Sequence, residues 1–353
     1  MKDLKYFTAY AIPLCAFIGL QYDGIWAYLT PIYAFAIVPV LELIFPVQEH
    51  NIEAEEVAVK SRLHWTDFLL YLNVPIVFGI VWLTLVRLTS SAHSTAEIIG
   101  YIFSAGIVIG SNGINVAHEL GHRKTKIEQF LGKLLLLPAL YQHFYVEHNF
   151  GHHLKAATPE DPATSRYNQS LYHFWYTSMT RQYTGAWKIQ MDLLKRDNAA
   201  FISIQNDMLW YTVFQALYLL SAFLVFGSFG LLIAFTAGFA GAVLLETINY
   251  IEHYGLLRFK RESGRYERVS EKHSWNSNHV FGRIMLYELT RHSDHHYRAS
   301  KKYQLLDYHD VSPQLPYGYP TSMVLSLFPP LWFKIMNKRV PAEMRPQAVS
   351  KTA

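Results

Sequence analysis

Residues 208–245 contain no charged side chain, and this stretch restricts the possible folds more than any other feature of the sequence. An α-helix needs about 20 mostly apolar residues to cross the hydrocarbon core of a bilayer. The stretch is long enough for two such helices, and the Gly-Ser-Phe-Gly segment 227–230 offers a tight turn between them. The sequence therefore predicts two membrane spans here, at about 206–226 and 230–251.

Four further apolar stretches have the length of a membrane span, and we expect them at 6–22, 25–46, 66–87 and 98–120. The first begins like a signal peptide, but no small-residue cleavage site follows it, so we expect an uncleaved span. Charged residues make up 16% of the chain, against about 25% in a typical soluble domain. The sequence predicts an all-α, polytopic membrane protein with about six transmembrane helices, forming a single domain over 1–353.

The basic residues predict an orientation. If the N-terminus is cytoplasmic, the outer connections at 23–25, 88–97 and 227–230 contain no Lys or Arg. This asymmetry is the one that the positive-inside rule describes. The segments 123–205 and 252–353 are then cytoplasmic, together with both termini. The net charge of +4 reflects this topology, and no nucleic-acid-binding motif accompanies it. We expect the basic stretch 258–272 to touch anionic lipid, with a protein-docking patch as the alternative.

Nine of the seventeen histidines are concentrated in three clusters and one isolated position. The clusters are HELGH (118–122), HNFGHH (148–153) and HSDHH (292–296), and the isolated residue is His253 in NYIEHYG. Each lies at the cytoplasmic end of a predicted span or in a predicted cytoplasmic segment. All nine side chains can therefore reach one face of the membrane, as a common metal site requires.

Neutral imidazole is the commonest protein ligand for first-row metals, and histidines three or four residues apart share one face of a helix. Nine imidazoles are too many for one tetrahedral zinc, but they fit two octahedral-type ions that keep a position open for a small molecule. The sequence thus predicts a di-metal site on the cytoplasmic side. Its candidate ligands are His118, His122, His148, His152, His153, His253, His292, His295 and His296.

Three other kinds of metal protein fit parts of this pattern. HELGH matches the HExxH motif of zinc proteases, with Glu119 as general base, but seven clustered histidines would then have no role. Half of a carboxylate di-iron bundle is also matched, but that architecture needs a second Glu-x-x-His, which the chain lacks. A non-catalytic metal-binding or transport protein would place ligands along a path through the bilayer, whereas here they gather at one end.

Acidic residues interleave with the histidines, and we expect them to accept the outer N–H of a ligating imidazole, with ordinary surface charge as the alternative. They are Glu119, Glu147, Glu252 and Asp294. Nitrogen ligands in an apolar setting favour iron for O2 activation, and the spacing also admits manganese or zinc. A substrate channel between the spans could be closed by bulky side chains, with helix packing or lipid contact as the alternative. The candidates are Tyr33, Phe35, Tyr101 and Phe103.

These motifs resemble those of the membrane-bound alkane 1-monooxygenases, which belong to a superfamily of histidine-rich membrane hydroxylases and desaturases. The resemblance covers about 25–340. It rests on GINVAHELGHRK (113–124), EHNFGHH (147–153), TPEDPATSR (158–166), NYIEHYGLLR (249–258), HSWNSNH (273–279), LTRHSDHH (289–296) and PQLPYGYP (313–320). Three histidine boxes alone also fit fatty-acid desaturases, whereas HSDHH with NYIEHYG is typical of this group and its xylene-type relatives.

The resemblance implies a non-heme di-iron centre with the nine histidines as its ligands. It implies insertion of one oxygen atom from O2 into the terminal C–H bond of medium- or long-chain n-alkanes taken from the bilayer of the bacterial inner membrane. Electrons would come from NAD(P)H through a separate reductase and a rubredoxin or ferredoxin, because Cys15 is the one cysteine of the chain. A xylene-type methyl hydroxylase and a fatty-acid desaturase or hydroxylase are the alternatives. Phe150 stands where relatives often have Arg, a difference that concerns contacts with the electron donor.

Overall fold

The computed structural model describes residues 2–45 and 47–346, where all regular structure is helical. The helices of the first part are α1 (Ala11–Gly19), α2 (Leu29–Ile32), α3 (Val38–Ile44), α4 (Ala54–Ser61), α5 (His64–Ser90), α6 (Thr95–Val108), α7 (Asn115–Gly121) and α8 (Lys126–Leu135). Those of the second part are α9 (His143–Glu147), α10 (His153–Lys155), α11 (Leu171–Arg196), α12 (Asp207–His253), α13 (Val280–Met285), α14 (His292–Tyr297), α15 (Tyr319–Ser326) and α16 (Pro329–Met336).

Shorter helical turns join these helices. The 3-10 turns are Lys2–Tyr10, Gly24–Tyr28, Tyr303–Leu305 and Ala342–Met344, and the π-helical turns are Tyr33–Ile37, Ile109–Ile114 and His148–His152. Because π-helical turns connect α2 to α3 and α6 to α7, each of these pairs runs as one continuous helical stretch.

Within the described residues, four helical stretches are long and apolar enough to cross a membrane, so the chain is a helical membrane protein. They are Gly24–Ile44, His64–Ser90, Thr95–Gly121 and Asp207–His253. The predicted spans 25–46, 66–87 and 98–120 fall on the first three, although Pro46 itself lies outside the described residues. The predicted span 6–22 falls on Lys2–Tyr10 and α1, which are not among the four. The predicted cytoplasmic ends Met1 and 347–353 lie outside the described residues, and the number of six spans stays a prediction.

The fourth stretch is interrupted at Gly227. Its φ of 72° and ψ of −169° are non-helical, and a positive φ is a conformation that glycine adopts without steric cost. The chain folds back there, because a Cβ placed on Gly230 would lie 3.2 Å from the carbonyl oxygen of Ala222, whereas eight residues of straight helix span about 12 Å. The two halves of α12 thus correspond to the predicted pair 206–226 and 230–251.

Two spans run in parallel towards the end of the molecule that carries the histidines. A Cβ on Gly106 of α6 would lie 2.6 Å from the Cβ of Ala240 in α12, so only glycine permits this approach. One turn later, a Cβ on Gly110 would lie 3.4 Å from the Cβ of Leu244. Because both contacts advance by four residues in the same direction, the C-terminal ends of the two stretches reach the same end of the bundle.

The segments that follow α12 cover this end of the bundle. Trp275, Tyr319 and Trp332 are fully buried and form one apolar cluster with Tyr250 and Tyr254 at the end of α12. Burial of large aromatic side chains is among the strongest contributions to packing. The C-terminal segments are therefore fixed against the helix end from which the isolated histidine projects.

Candidate metal centre

All nine candidate ligands lie on helices or directly beside them. They are His118 and His122 at the end of α7, His148 and His152 on the π-helical turn, His153 on α10, His253 at the end of α12, and His292, His295 and His296 on α14. In a π-helix the hydrogen bonds join residues five apart instead of four. The π-helical turn therefore turns His153, rather than His152, towards the same side as His148.

The nine imidazoles form two groups, and within each group one ring nitrogen of every histidine lies within 4.8 Å of the others. The first group consists of His118, His122, His148, His153 and His295. The second group consists of His152, His253, His292 and His296. Neighbours in the sequence are thus divided between the groups, both at 152–153 and at 295–296.

The distances between ring nitrogens fit ligands of a common ion. In the first group, the Nε2 atom of His153 lies 3.0 Å from that of His148 and 3.1 Å from that of His122. In the second group, the Nε2 atom of His296 lies 2.9 Å from that of His292 and 3.2 Å from that of His152. Two nitrogens bound to one ion at about 2.0–2.1 Å would lie about 2.9–3.4 Å apart.

Unpartnered nitrogens inside the first group support the same interpretation. The Nε2 atoms of His118 and His295 are buried and have no hydrogen-bond partner among the described residues. A buried polar atom without a partner costs free energy and requires an explanation. A metal ion bound between the rings would satisfy both atoms, so the donor set fits a metal.

Burial keeps most of these imidazoles neutral, which is the form that binds metal. Burial lowers the pKa of His122 to about 3. Burial and the neighbouring imidazoles lower the pKa of His148, His153 and His295 well below the usual range. His152 differs: burial lowers its pKa, but the hydrogen-bonded carboxylate of Asp161 together with Glu147 and Glu246 outweighs this effect, so its pKa is raised.

Asp161 fixes the orientation of His152, a role that the sequence analysis did not predict. Its Oδ2 atom lies 2.9 Å from the Nδ1 atom of His152, so the Nε2 atom is left to face the second group. The hydroxyl of Thr164 donates a hydrogen bond to the same carboxylate, and the N–H of Ala163 donates another. Asp161 lies within the TPEDPATSR motif, which the sequence analysis used only as part of the family resemblance.

Glu252 lies on the inner side of the second group. Its Oε2 atom is 3.3 Å from the Nε2 atom of His292, the same nitrogen that faces His253 and His296. The hydroxyl of Tyr319 donates a 2.8 Å hydrogen bond to the other oxygen of the carboxylate. The outer nitrogen of His292, Nδ1, has no partner among the described residues. Glu252 thus faces the ligand-binding nitrogen, whereas the sequence predicted that it would accept the outer N–H.

The other predicted carboxylates have different surroundings. Glu119 forms an ion pair with Arg123 at 2.8 Å, and Asp294 forms one with Lys301 at 2.7 Å. Glu147 borders a polar pocket together with Asp161. Cations are therefore the closest partners of Glu119 and Asp294, which connect the ligand-bearing helices to neighbouring segments.

An apolar cavity between the spans leads to the histidines. Its walls include Ile107, Leu244 and Met285. A second, smaller cavity shares Gly110, Leu245 and Ile248 with it, and His118, His148 and His292 border this second cavity. Members of both histidine groups therefore face the end of one apolar path.

The four predicted channel residues lie in different places. Phe35 borders the apolar cavity. The hydroxyl of Tyr33 lies 3.9 Å from the sulfur of Met285. The hydroxyl of Tyr101 donates a hydrogen bond to the backbone at Tyr22, and Phe103 is exposed on the surface of the bundle. None of these last three residues borders the cavity in the described part of the chain.

Comparisons with known proteins agree with this geometry. The family model described as fatty acid desaturase matches residues 92–325. Alkane 1-monooxygenase 2 of Alcanivorax borkumensis is 38% identical over 97% of this chain and 92% of its own length. The protein of the same name from Pseudomonas aeruginosa is 38% identical over 92% of this chain and 87% of its own. The xylene/toluene monooxygenase hydroxylase component of Pseudomonas putida is more distant, at 26% identity over 96% of this chain and 89% of its own.

These matches cover the apolar spans, all nine histidines and the segments that pack around them. Identity above one third over nearly the whole length of both proteins is accompanied here by two convergent histidine groups at the end of an apolar cavity. The chain belongs to the alkane 1-monooxygenase family, within the larger fatty acid desaturase family of membrane proteins.

Proposed function

We propose that the protein is an alkane 1-monooxygenase that converts the terminal methyl group of medium- or long-chain n-alkanes to a primary alcohol. The reaction consumes one O2, two electrons and two protons and releases one water. The observation that carries the proposal is the apolar path that ends between the two histidine groups. The relatives named alkane 1-monooxygenase support the substrate class.

Two iron ions are the proposed cofactors, one for each histidine group. The first group offers five imidazoles and the second offers four, with the carboxylate of Glu252 beside it. Imidazole ligands suit iron, and both groups leave room for a small molecule within an octahedral set. When bound, the iron pair supplies the redox chemistry that activates O2.

The protein's own contribution is to position the substrate and to exclude water. The walls of the cavity are almost entirely apolar, so an alkane chain gains free energy by entering it. Gly110, Leu245 and Ile248 border both this cavity and the smaller one, which His118, His148 and His292 also border. A chain that enters end-on presents its methyl group first, which accounts for terminal selectivity.

Electrons are proposed to come from a separate protein, a rubredoxin or ferredoxin supplied by an NAD(P)H-dependent reductase. Cys15, the one cysteine, cannot hold an iron–sulfur centre. Next to the ligands, Leu154 and Tyr297 are exposed apolar residues, and Lys155 and Arg298 are exposed cations that adjoin them. An acidic electron carrier would complement the charge of this surface. Leu154 and Tyr297 directly follow the candidate ligands His153 and His296 in the sequence.

Phe150 belongs to the same neighbourhood and is also exposed, between two candidate ligands. An aromatic side chain at this position would bury apolar area against the carrier.

We also propose that the protein lies in the bacterial inner membrane with the histidine end in the cytoplasm. The cytoplasmic location of NAD(P)H and the distribution of Lys and Arg support that orientation.

A methyl hydroxylase for xylene-like aromatics is the second candidate function. The similarity to the xylene/toluene monooxygenase component supports it, but the identity of 26% is well below the 38% found for the alkane enzymes. A desaturase is supported only by the broader family match over residues 92–325. Product identity separates all three reactions.

The test is product identification in whole cells that also express a rubredoxin and its reductase. The feed would contain n-alkanes from short to long together with toluene and xylenes, and extracts would be analysed by gas chromatography–mass spectrometry. We expect primary alcohols from alkanes, lost in His295→Ala and kept in His173→Ala, because His173 is exposed and outside both groups. Benzylic alcohols without alkane products would contradict the alkane assignment.

A further inference from the structure

Glu42 is a buried acidic residue in the membrane-spanning stretch Gly24–Ile44. Its exposed fraction is 5%, and neither carboxylate oxygen makes a hydrogen bond of acceptable geometry within the described residues. Ionisable side chains in membrane spans are costly and usually serve a function. The family-level mechanism proposed above gives this carboxylate no role, so its position requires a separate explanation.

The position of Glu42 relates it to the apolar cavity. Val38 and Glu42 are both buried and lie four residues apart within α3, so they share one face of that helix. Ala34 and Val38 border the apolar cavity. The carboxylate therefore lies one turn beyond the cavity, towards the end of the span.

The carboxylate of Glu42 packs directly against two glycines. A Cβ on Gly282 would lie 2.5 Å from the Oε1 atom of Glu42, and a Cβ on Gly318 would overlap with the carboxylate group itself. The backbone of Gly318 has a φ of −62° and a ψ of 167°, which any residue can adopt. Glycine is therefore needed here because the carboxylate occupies the space of a Cβ, and not because of the backbone conformation.

Both glycines belong to segments that form the cavity wall. Gly282 lies on α13, which also contributes Met285 to the wall. Gly318 directly precedes α15, which contributes Tyr319 and Met323. A displacement at either glycine would thus be transmitted to the side chains that an alkane would contact.

The same segment also reaches the histidines. Tyr319, the first residue of α15, donates its hydroxyl hydrogen bond to Glu252, and Glu252 lies beside His292. Gly318, which packs on Glu42, is therefore the direct neighbour of Tyr319, whose hydroxyl holds the carboxylate of Glu252 beside the second histidine group.

We propose that Glu42 is a positioning residue that fixes α13 and α15 against the span and thereby sets the cavity wall along which the alkane lies. Glu42 touches neither substrate nor metal in this proposal, and it acts through Tyr319, Met323 and Met285. The proposal rests on the proposed function, because it concerns where the alkane methyl group stops relative to the two histidine groups.

A double-mutant cycle tests the contact and its consequence together. In Gly318→Ala, the new Cβ pushes the carboxylate away and displaces α15, and a misplacement of about 1 Å costs about 100-fold in rate. We expect kcat/KM for n-octane to fall about 10- to 100-fold and the share of subterminal alcohols to rise. Glu42→Ala should also lower kcat/KM, because α13 and α15 lose the side chain that fixes them. In the double variant Glu42→Ala/Gly318→Ala the new methyl group enters the freed space without a clash, so the combined loss should be smaller than the product of the two single losses.

Gly79→Ala is the matched control, because a Cβ at this glycine of α5 meets nothing within 4 Å. Iron content per chain should stay at the wild-type value in every variant. Independent effects that simply multiply in the double variant would overturn the proposal. So would a loss of iron in proportion to the loss of activity, because it would mean a general disturbance of the fold.

The single variant Glu42→Ala keeps the test decisive if Gly318→Ala does not accumulate in membranes. It removes the side chain that fills the space beside Gly282 and Gly318 and introduces no clash. We expect an altered ratio of terminal to subterminal alcohols and a raised KM with a smaller change in kcat. Unchanged product distribution and unchanged KM in this variant would overturn the proposal.

The rise in melting temperature on addition of n-octane supplies a readout that does not depend on turnover. We expect the rise to shrink in Gly318→Ala and in Glu42→Ala, and to shrink in the double variant by less than the sum of the two single effects. If the wild-type protein makes no alcohol from any alkane, the proposed function fails, whereas the cycle still tests Glu42 through this shift. If the wild-type protein is active and the cycle shows independent effects, only the role of Glu42 fails.

Discussion

The Nδ1 atom of His152 lies 2.9 Å from the Oδ2 atom of Asp161, on the side of the ring away from the second histidine group. The Nε2 atom of the same ring lies 3.2 Å from the Nε2 atom of His296. One nitrogen is therefore held by a carboxylate while the other is free to bind a metal. Such carboxylate–histidine pairs fix the tautomer and orientation of a ligand.

Replacing Asp161 by Ala should weaken metal binding at the second group. Loss of an outer-shell partner costs about 10- to 100-fold in metal affinity, and the buried Nδ1 atom of His152 would also lose its acceptor. We expect the iron content to fall from two towards one per chain in the presence of a competing chelator. The measurement is metal analysis of detergent-purified protein after dialysis against graded chelator.

Asp197→Asn is a suitable control, because this aspartate is exposed and pairs with Arg196 on the surface. An Asp161→Ala protein that retained both ions under the same dialysis would show that His152 needs no carboxylate to bind.

The sequence predicted the ligand candidates but not how they divide. Histidines four apart were expected to share a face, which matches His118 with His122 and His292 with His296. His148 instead belongs to the same group as His153, five residues later. The cause is a π-helical turn, in which residues five apart share a face. The sequence pattern did not predict this turn. The proposed role of all nine as iron ligands stays a prediction.

The contacts around the histidines depend on tertiary structure. Tyr319 reaches Glu252 from 67 residues further along the chain, and Asp161 reaches His152 through the irregular turns that follow α10. No regular helical spacing therefore pointed to either residue. The helical membrane fold was easier to predict, because apolar length and the absence of charge determine it directly. The fold-back at Gly227 was also readable from the sequence, since a glycine-containing segment interrupts an uncharged stretch.

Tyr319→Phe should affect turnover more than metal content. The variant removes the hydroxyl that donates to the Oε1 atom of Glu252, and a buried acceptor left without its partner costs about 1–3 kcal/mol. We expect a lower kcat, because the freed carboxylate borders the cavity between the two histidine groups. The measurement is alcohol formation per iron in purified protein supplied with electrons by a rubredoxin.

The control for this variant is Tyr176→Phe, at a tyrosine whose exposed fraction is 73%. Wild-type turnover per iron in Tyr319→Phe would mean that the position of the Glu252 carboxylate does not matter for the reaction.

His152→Ala and His153→Ala should remove different ions although the two residues are adjacent. His152 belongs to the second group and His153 to the first. We therefore expect each variant to hold about one iron per chain after mild chelation, since removing one ligand weakens one site. Mössbauer spectra of the two variants should differ, because the remaining ion has five imidazoles in one case and four in the other.

Combining the two substitutions sharpens this prediction. The double variant should lose both ions, since each substitution acts on its own group. If either single variant lost both ions together, the two groups would have to form one interdependent site rather than two.

Phe35→Ala should extend the range of alkanes that the protein accepts. Phe35 borders the apolar cavity, and its removal lengthens the space available to a chain that enters end-on. Each further methylene that is buried gains about 0.8 kcal/mol, so alkanes that are too long for the wild-type cavity should become substrates. The measurement is the ratio of kcat/KM values across a series of n-alkanes.

Phe103→Ala is the matched control, because this phenylalanine is exposed and borders no part of the cavity in the described chain. An identical shift in both variants would point to a general change in membrane packing, whereas a shift in Phe35→Ala alone would identify the cavity as the structure that measures chain length.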